Sequence, residues 1–303
     1  MSITGSDYSQ IEMHEVALKY ANVLKLLAQQ TTSKLENCVM VESGLTGKTV
    51  SPVDQLGTFA TRTRTGRFEE THIVDIARTR RWYEPVFKDG AYLIDNWDKI
   101  RMDISPEDGV ALAIMAAYKR DIDAEIMRAF YATNKTGKDA SGSTAFDNNN
   151  VIAATAANSD ILGKIDLAVA KLQQNDVDFE NEEVFFVVPP AVERELKEAG
   201  YYVSSDYQND KVLTGKKLSP YAGVNFIRYN FAYTNTGTQQ SPVNVYKCPF
   251  FCKSGVALGK WLDFQTKVSE RDDLSYAKQI YAAYAIGATR TEEKKCLSIE
   301  FAA

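Results

Sequence analysis

The sequence is short of the residues on which metal sites and many enzymes depend. It has two histidines, His14 and His72, and four cysteines among 303 residues. Cys248 and Cys252 have a spacing that zinc ligands can use, but no second close pair of cysteines or histidines follows them. We therefore expect buried, reduced thiols, with no metal site and no cofactor.

The motifs of common enzyme families are also missing. The sequence contains no G-x-S-x-G, no H-E-x-x-H and no G-x-G-x-x-G. The end of a phosphate-binding loop motif, G-x-x-x-x-G-K-[ST], matches Gly47, Lys48 and Thr49. The first glycine of that motif is missing, because Glu42 occupies its position. Catalytic groups should cluster, and no such cluster is visible here. The sequence therefore favours a protein that is not an enzyme and has no catalytic residues.

An excess of basic charge and long hydrophobic runs are absent as well. The net charge of −5 argues against a dedicated nucleic-acid binder. No apolar run reaches the length that spans a membrane, and residues 1–15 lack the regions of a signal peptide. A hydrophobic content of 45% is ordinary for a soluble globular protein. We expect a cytosolic protein with more than one lobe and no membrane contact.

The longest helical pattern runs over residues 105–133. Ser105 is placed to be its N-cap, and Pro106 occupies the first helical position. Asp121, Glu125 and Arg128 fall on the side expected to face solvent or a neighbouring subunit. The opposite stripe, predicted as core, consists of Leu112, Met115, Ile122, Ile126 and Phe130. This pattern predicts a spine on which separate lobes are mounted.

Residues 58–88 are predicted to form an extended two-stranded ribbon with its tip around residues 66–70. Threonines and arginines alternate along residues 61–65, which is a period-two pattern. An isolated ribbon that is polar on both faces is marginal in water, so it should lean on another copy of the chain. The residues predicted to make this contact are Arg62, Arg64, Arg67, Glu69 and Glu70. The arginines could instead contact nucleic-acid phosphates.

After residue 150 the sequence pattern changes and predicts alternating helices and strands. We expect a helix capped by Ser159 and ending near Gln174, a buried strand in EEVFFVV, and a second helix beginning at Pro189 or Pro190. The strand Val224–Tyr229 completes this α/β lobe. The remaining sequence is strand-like, and we expect it to rejoin the sheet under the long helix.

The order of these elements resembles a tailed-phage major capsid protein of the Johnson fold. The resemblance also rests on FFVVPPAVERELKEAG, LTGKKLSPYAGVNFI and AYAIGATR, which occur in this order. It implies an α+β fold with an N-terminal arm (1–50) and an extended β-hairpin, the E-loop (51–90). A peripheral P-domain (91–149 and 250–303) would hold the spine helix 105–133 and a β-sheet. An inserted α/β A-domain would span 150–249.

The resemblance implies a shell-forming function. Copies would assemble as hexamers and pentamers of an icosahedral or prolate shell, which encloses double-stranded DNA without sequence-specific binding. Each E-loop would lie over a neighbouring subunit. The protein would be located in the virion, after assembly in the host bacterial cytoplasm with a portal and, in some shells, decoration proteins.

Two further expectations follow from features of this family. Some members join subunits through an E-loop lysine, but this sequence has no lysine between Lys48 and Lys88, so we predict a shell without such crosslinks. The arm begins within a few residues of Met1, so we expect a separate scaffolding protein. The alternatives are an encapsulin-like compartment with the same fold, a nucleic-acid-binding protein that uses the arginine ribbon, and, third, an enzyme.

Overall fold

The structure is a computed structural model that describes residues 29–47, 50–95, 107–154, 160–198, 220–231, 234–235 and 244–302. These residues belong to two compact units. The first unit draws its described residues from Met1–Ser33, Val86–Ile122 and Trp261–Ile286. The second draws them from Lys34–Pro85, Asp123–Lys260 and Gly287–Ala303. Two strands and the longest helix therefore contribute residues to both units.

The longest helix, α1, spans Glu107–Tyr131. Ile122, Ile126 and Phe130 follow one another at four-residue intervals, which puts them on one face, and all three are at most 1% exposed. Leu112 and Met115 were predicted to extend this core, but they are 53% and 47% exposed. The prediction is wrong for these two residues in the single chain.

The polar side of α1 also differs from expectation. Glu125, predicted to face solvent or a neighbour, is 5% exposed. It is ion-paired with Arg128, whose side chain remains largely exposed. Ser105 and Pro106, the predicted start of the helix, lie outside the described residues.

The first unit pairs strands β4 (Val86–Ile94) and β13 (Ala277–Arg290) in antiparallel register, with Ile280 opposite Tyr92. Tyr118 of α1 stacks on Phe264 with ring centroids 5.1 Å apart and meets Tyr284 edge-on at 4.7 Å. Such aromatic contacts stabilise the packing of the helix on the sheet by more than the apolar area that they bury. Phe264 lies on β12 (Val256–Arg271). With β1 (Met40–Ser43), these strands form a sheet of order β1-β12-β13-β4.

The second unit is centred on a six-stranded sheet. Its order is β7-β14-β11-β8-β9, and β10 pairs with β11. The strands are β7 (Val151–Ile152), β8 (Val184–Val188), β9 (Val224–Arg228), β10 (Thr234–Asn235), β11 (Asn244–Cys252) and β14 (Cys296–Ala302). Every residue of β8 is buried, as its uninterrupted apolar run predicts.

Two helices pack on this sheet, α2 (Ile161–Gln174) and α3 (Pro190–Glu198). Ile165, Leu172 and Leu196 are fully buried in the same cluster as Phe186 and Phe250. The residue at the N-cap of α2 is Asp160, and the predicted Ser159 lies outside the described residues. All four cysteines are free and buried.

The last strand has a different partner from the one expected. β14 pairs with β11 from Val245↔Ala302 to Phe251↔Cys296, and with β7 on its other edge. It therefore completes the sheet of the α/β lobe, whereas the prediction placed all of residues 250–303 in the peripheral domain. Sequence pattern identifies a strand but not its neighbour, which explains the difference.

The remaining strands are short. β1 (Met40–Ser43) runs parallel to β12, with Met40 opposite Ala257. β2 (Val50–Leu56), β3 (Arg78–Tyr83), β5 (Asn134–Thr136) and β6 (Gly142–Thr144) form a sheet in this order. Most of the N-terminal arm that the resemblance implies lies outside the described residues, and residues 29–35 are not helical.

Candidate subunit interface

The predicted ribbon is paired only at its base. β2 and β3 are antiparallel from Val50↔Tyr83 to Leu56↔Arg78, and Gly57 N–H donates to the carbonyl of Ala77 at 2.7 Å. Residues 58–77 have no assigned strand, so the long hydrogen-bonded ribbon is not formed. We call residues 57–77 the arginine loop. Its near-complete exposure within one chain makes it the first candidate for an interface.

Internal polar contacts give the arginine loop its shape. Arg62 pairs with Glu69 at 3.2 Å, and the Thr65 hydroxyl donates to the same carboxylate at 2.8 Å. The Arg64 Nε donates to the carbonyl of Gly66 at 2.9 Å. Three of the five predicted contact residues are thus engaged within their own loop, and Arg67 and Glu70 lie exposed beside them.

Four large apolar side chains are exposed on the arginine loop or directly before it. Phe68 is 96% exposed and Ile73 is 89% exposed. Leu56 and Phe59 add further exposed apolar area at 66% and 57%. A group of large exposed apolar residues on one segment is typical of a protein–protein contact. The signal was present in the sequence, since these residues interrupt a polar stretch.

The base of the arginine loop is fixed to the second unit by charged and polar contacts. Arg80 forms two hydrogen bonds to Asp54, and Arg81 donates to the carbonyl of Thr291 at 3.1 Å. The Trp82 indole donates to the carbonyl of Gly137 at 2.6 Å, and the Tyr83 hydroxyl to Glu42 at 2.8 Å. A loop held so firmly at its base presents its tip in a defined direction.

A buried arginine holds the C-terminal end of α1. Arg290 is 0% exposed and donates to the carbonyls of Ala129 at 3.3 Å and Ala132 at 2.8 Å, and to that of Phe130. The last carbonyls of a helix have no partner within it, and a cation there also complements the helix dipole. The Arg290 Nε pairs with Glu293 at 3.0 Å. Arg290 is the last residue of AYAIGATR, and no local sequence pattern predicts its contact with α1.

A buried aspartate on α1 binds the backbone of residues 34 and 35, within the N-terminal arm. Asp123 is 0% exposed, and its carboxylate accepts the backbone N–H groups of Lys34 at 3.0 Å and Leu35 at 3.0 Å. Three residues earlier on α1, Arg120 donates to the side chain of Gln29 at 2.6 Å. Charged side chains of α1 therefore hold residues 29–35 in place.

The described residues contain no group of three or more His, Cys, Asp or Glu side chains placed to hold a metal ion. Within the same ranges, no helix is long and apolar enough to cross a membrane.

The fold is similar to that of solved phage capsid structures. It matches the capsid of Ralstonia phage GP4 with a TM-score of 0.72, 12% identity and coverage of 94% of both chains. It matches Mycobacterium phage Che8 with a TM-score of 0.63 at 17% identity, covering 92% of this chain and 95% of that one. A capsid structure of Helicobacter pylori bacteriophage KHP30 gives a TM-score of 0.67 at 9% identity, with coverage of 100% and 98%. The fold class is thus the α+β fold of phage shells.

The sequence narrows this class to a family. A model of the family described as phage capsid protein matches residues 14–303, so the chain belongs to that family. No curated protein matches the sequence. The chain is therefore a major capsid protein that forms the virion shell. The family and the fold indicate a structural protein, and its functional site is the surface through which copies meet.

Proposed function

We propose that this chain assembles as hexamers and pentamers of an icosahedral or prolate shell around double-stranded DNA, in which the arginine loop of each copy covers a neighbour. The observation that supports this most directly is the exposed apolar surface of the loop, with Phe68 and Ile73 about nine-tenths exposed or more. At roughly 25 cal/mol per Å² of buried apolar surface, covering these side chains would stabilise a contact between copies.

The charged residues of the loop have a supporting role in this proposal. Arg64, Arg67 and Glu70 lie exposed around the apolar side chains and would form a polar rim around the contact. Exposed ion pairs contribute little affinity, so their effect would be on register and rate of association. Arg62 and Glu69 would act indirectly, by holding the shape of the loop.

The exposed side of α1 offers a second contact between copies. Leu112 and Met115 are three residues apart on the helix and both about half exposed. The predicted stripe would then be divided, with Ile122, Ile126 and Phe130 in the core of the chain and the first two residues in a contact between subunits.

The shell would enclose the DNA without binding it tightly. A net charge of −5 gives no general attraction to phosphates, which is suitable for a container whose contents must leave. We also propose that assembly takes place in the host bacterial cytoplasm with a scaffolding protein and a portal.

Imaging of particles made with this chain tests the proposal. Cells producing the complete set of head proteins should yield closed shells of uniform size that contain this chain and DNA. Shells that contain a cargo enzyme and no DNA would identify an encapsulin-like compartment. A failure to form particles, together with tight binding to free duplex that falls steeply with salt, would identify a nucleic-acid-binding protein instead.

A further inference from the structure

A cavity of about 440 Å³ opens on the second unit. Tyr131, Phe146 and Phe231 give it an aromatic wall, and Asn148, Lys247 and Ser298 supply its polar groups. Its size falls within the range of about 300–1,000 Å³ that small ligands occupy, and a mostly apolar lining with a few polar groups is typical of such sites.

The walls of the cavity are held in place without an occupant. The Tyr131 hydroxyl and the Ser298 Oγ are 3.1 Å apart, within hydrogen-bond distance. Phe146 packs on Tyr131 and on Phe130, with ring centroids 5.6 and 5.5 Å apart. The Lys247 Nζ lies 3.7 Å from Glu300, and its side chain is 35% exposed. The cavity therefore presents a preformed aromatic wall with a cation at its edge.

The tip of the arginine loop has the complementary chemistry. Phe68 is 96% exposed and has a φ of 66°, in the left-handed region that side chains of this size rarely adopt. The acidic residues Glu69 and Glu70 follow it directly. A bulky residue held in this conformation needs a compensating contact, and its own chain provides almost none.

We propose that Phe68 of one copy inserts into this cavity of a second copy, with Glu70 facing Lys247. This rests on the proposed function, since it names the surface that receives the loop. An aromatic anchor in a preformed pocket is the usual centre of a protein interface. Projection and cavity are different patches of one surface, and when each copy donates to one neighbour and receives from another, the copies join head to tail. Such contacts form a ring when the rotation between copies closes.

Disulfide trapping tests the contact directly. The four native cysteines are buried, so Arg67→Cys combined with Asn148→Cys adds the reactive thiols needed and keeps the Phe68 side chain. Mild oxidation of particles should join neighbouring copies into a ladder on non-reducing denaturing gels, because bridging requires Cα atoms within about 7 Å. Each single variant should show no ladder. The matched control is Arg67→Cys with Asn181→Cys, an exposed position outside the cavity.

A charge exchange gives a second measurement. Glu70→Lys and Lys247→Glu should each lower the fraction of chains that sediment as particles. The combination of both should restore part of it, because Lys247→Glu also loses the pair with Glu300 within its own chain. Phe68→Ser should lower that fraction by about tenfold, as expected for a central anchor. Ile73→Ser removes a side chain of similar exposure and should have a smaller effect.

The outcomes separate this inference from the proposed function. If the wild-type chain forms no particles in cells that produce the complete set of head proteins, the proposed function is wrong. If wild-type particles form but the Arg67–Asn148 pair gives no ladder, or no more than the Asn181 control, insertion at this cavity is wrong and the shell function stands.

Discussion

Arg290 shows how one side chain joins several segments of the second unit. Its guanidinium binds the carbonyls that end α1, the carbonyl of Thr144 at 3.3 Å and the carboxylate of Glu293. It also lies over the ring of Phe146, 5.3 Å from the centroid. A buried cation is stable only when its donors are satisfied, and here carbonyls and a carboxylate satisfy them.

Replacing Arg290 should therefore be among the most damaging single changes. Arg290→Met leaves Glu293 and the carbonyls at the end of α1 without their donor, which should cost about 3–5 kcal/mol. Urea unfolding of the unassembled chain measures this. Arg271→Met is the matched control, because Arg271 pairs with Asp273 at the surface and should change stability little. Equal midpoints for the two variants would contradict the assigned role.

The buried cysteines predict sensitivity to alkaline pH. Burial raises the pKa of the Cys38 thiol to about 11, with Asp123 adding to the effect, and burial raises that of Cys252 to about 12. Each of these thiols has a higher pKa in the folded chain than in the unfolded chain, so it stabilises the folded state at pH values below the ordinary thiol pKa. This contribution to the free energy of unfolding is lost as the pH rises towards the pKa of the thiol in the folded chain.

The melting temperature of the unassembled chain should consequently fall between about pH 9 and pH 11. Cys38→Ala removes one of these ionisations and should make the fall shallower. A melting temperature that stays level over this interval would show that the thiols do not contribute.

At the scale of elements, α1 divides into a half that the chain buries and a half that it leaves partly open. Ile126→Ala should cost about 2–5 kcal/mol, because Ile126 is 1% exposed and the change leaves a cavity. Leu112→Ala should leave the unassembled chain close to wild type and lower the yield of particles. Thermal unfolding and sedimentation of the same two variants separate these effects. Equal melting temperatures would contradict the division.

The helices and strands could largely be predicted because their signals are local. β8 follows from five consecutive apolar residues and α2 from its amphipathic spacing. The failures concern contacts between distant segments. The pairing of β14 with β11 and the contact of Arg290 with Ala132, which is 158 residues away, leave no local pattern. Leu112 and Met115 match the core pattern although they are exposed, because the apolar spacing of a helix does not show whether its own chain or the proposed second copy covers it.

The candidate interface could be predicted in position but not in chemistry. The polar alternation of residues 58–77 indicated a segment that needs a neighbour, and the structure leaves that segment exposed. The arginines drew attention because of their number, but Arg62 is bound within the loop while Phe68 projects from it. Which side chains turn inward depends on the turn at residues 66–68, where a non-glycine residue adopts a positive φ.

At the scale of the whole shell, cohesion should be entirely non-covalent. The segment between Lys48 and Lys88 has no lysine that could form an isopeptide bond from the arginine loop, and the four cysteines are free and buried. Particles boiled in denaturant without reductant should therefore run as a single band of monomeric chain. A ladder of multimers would contradict this.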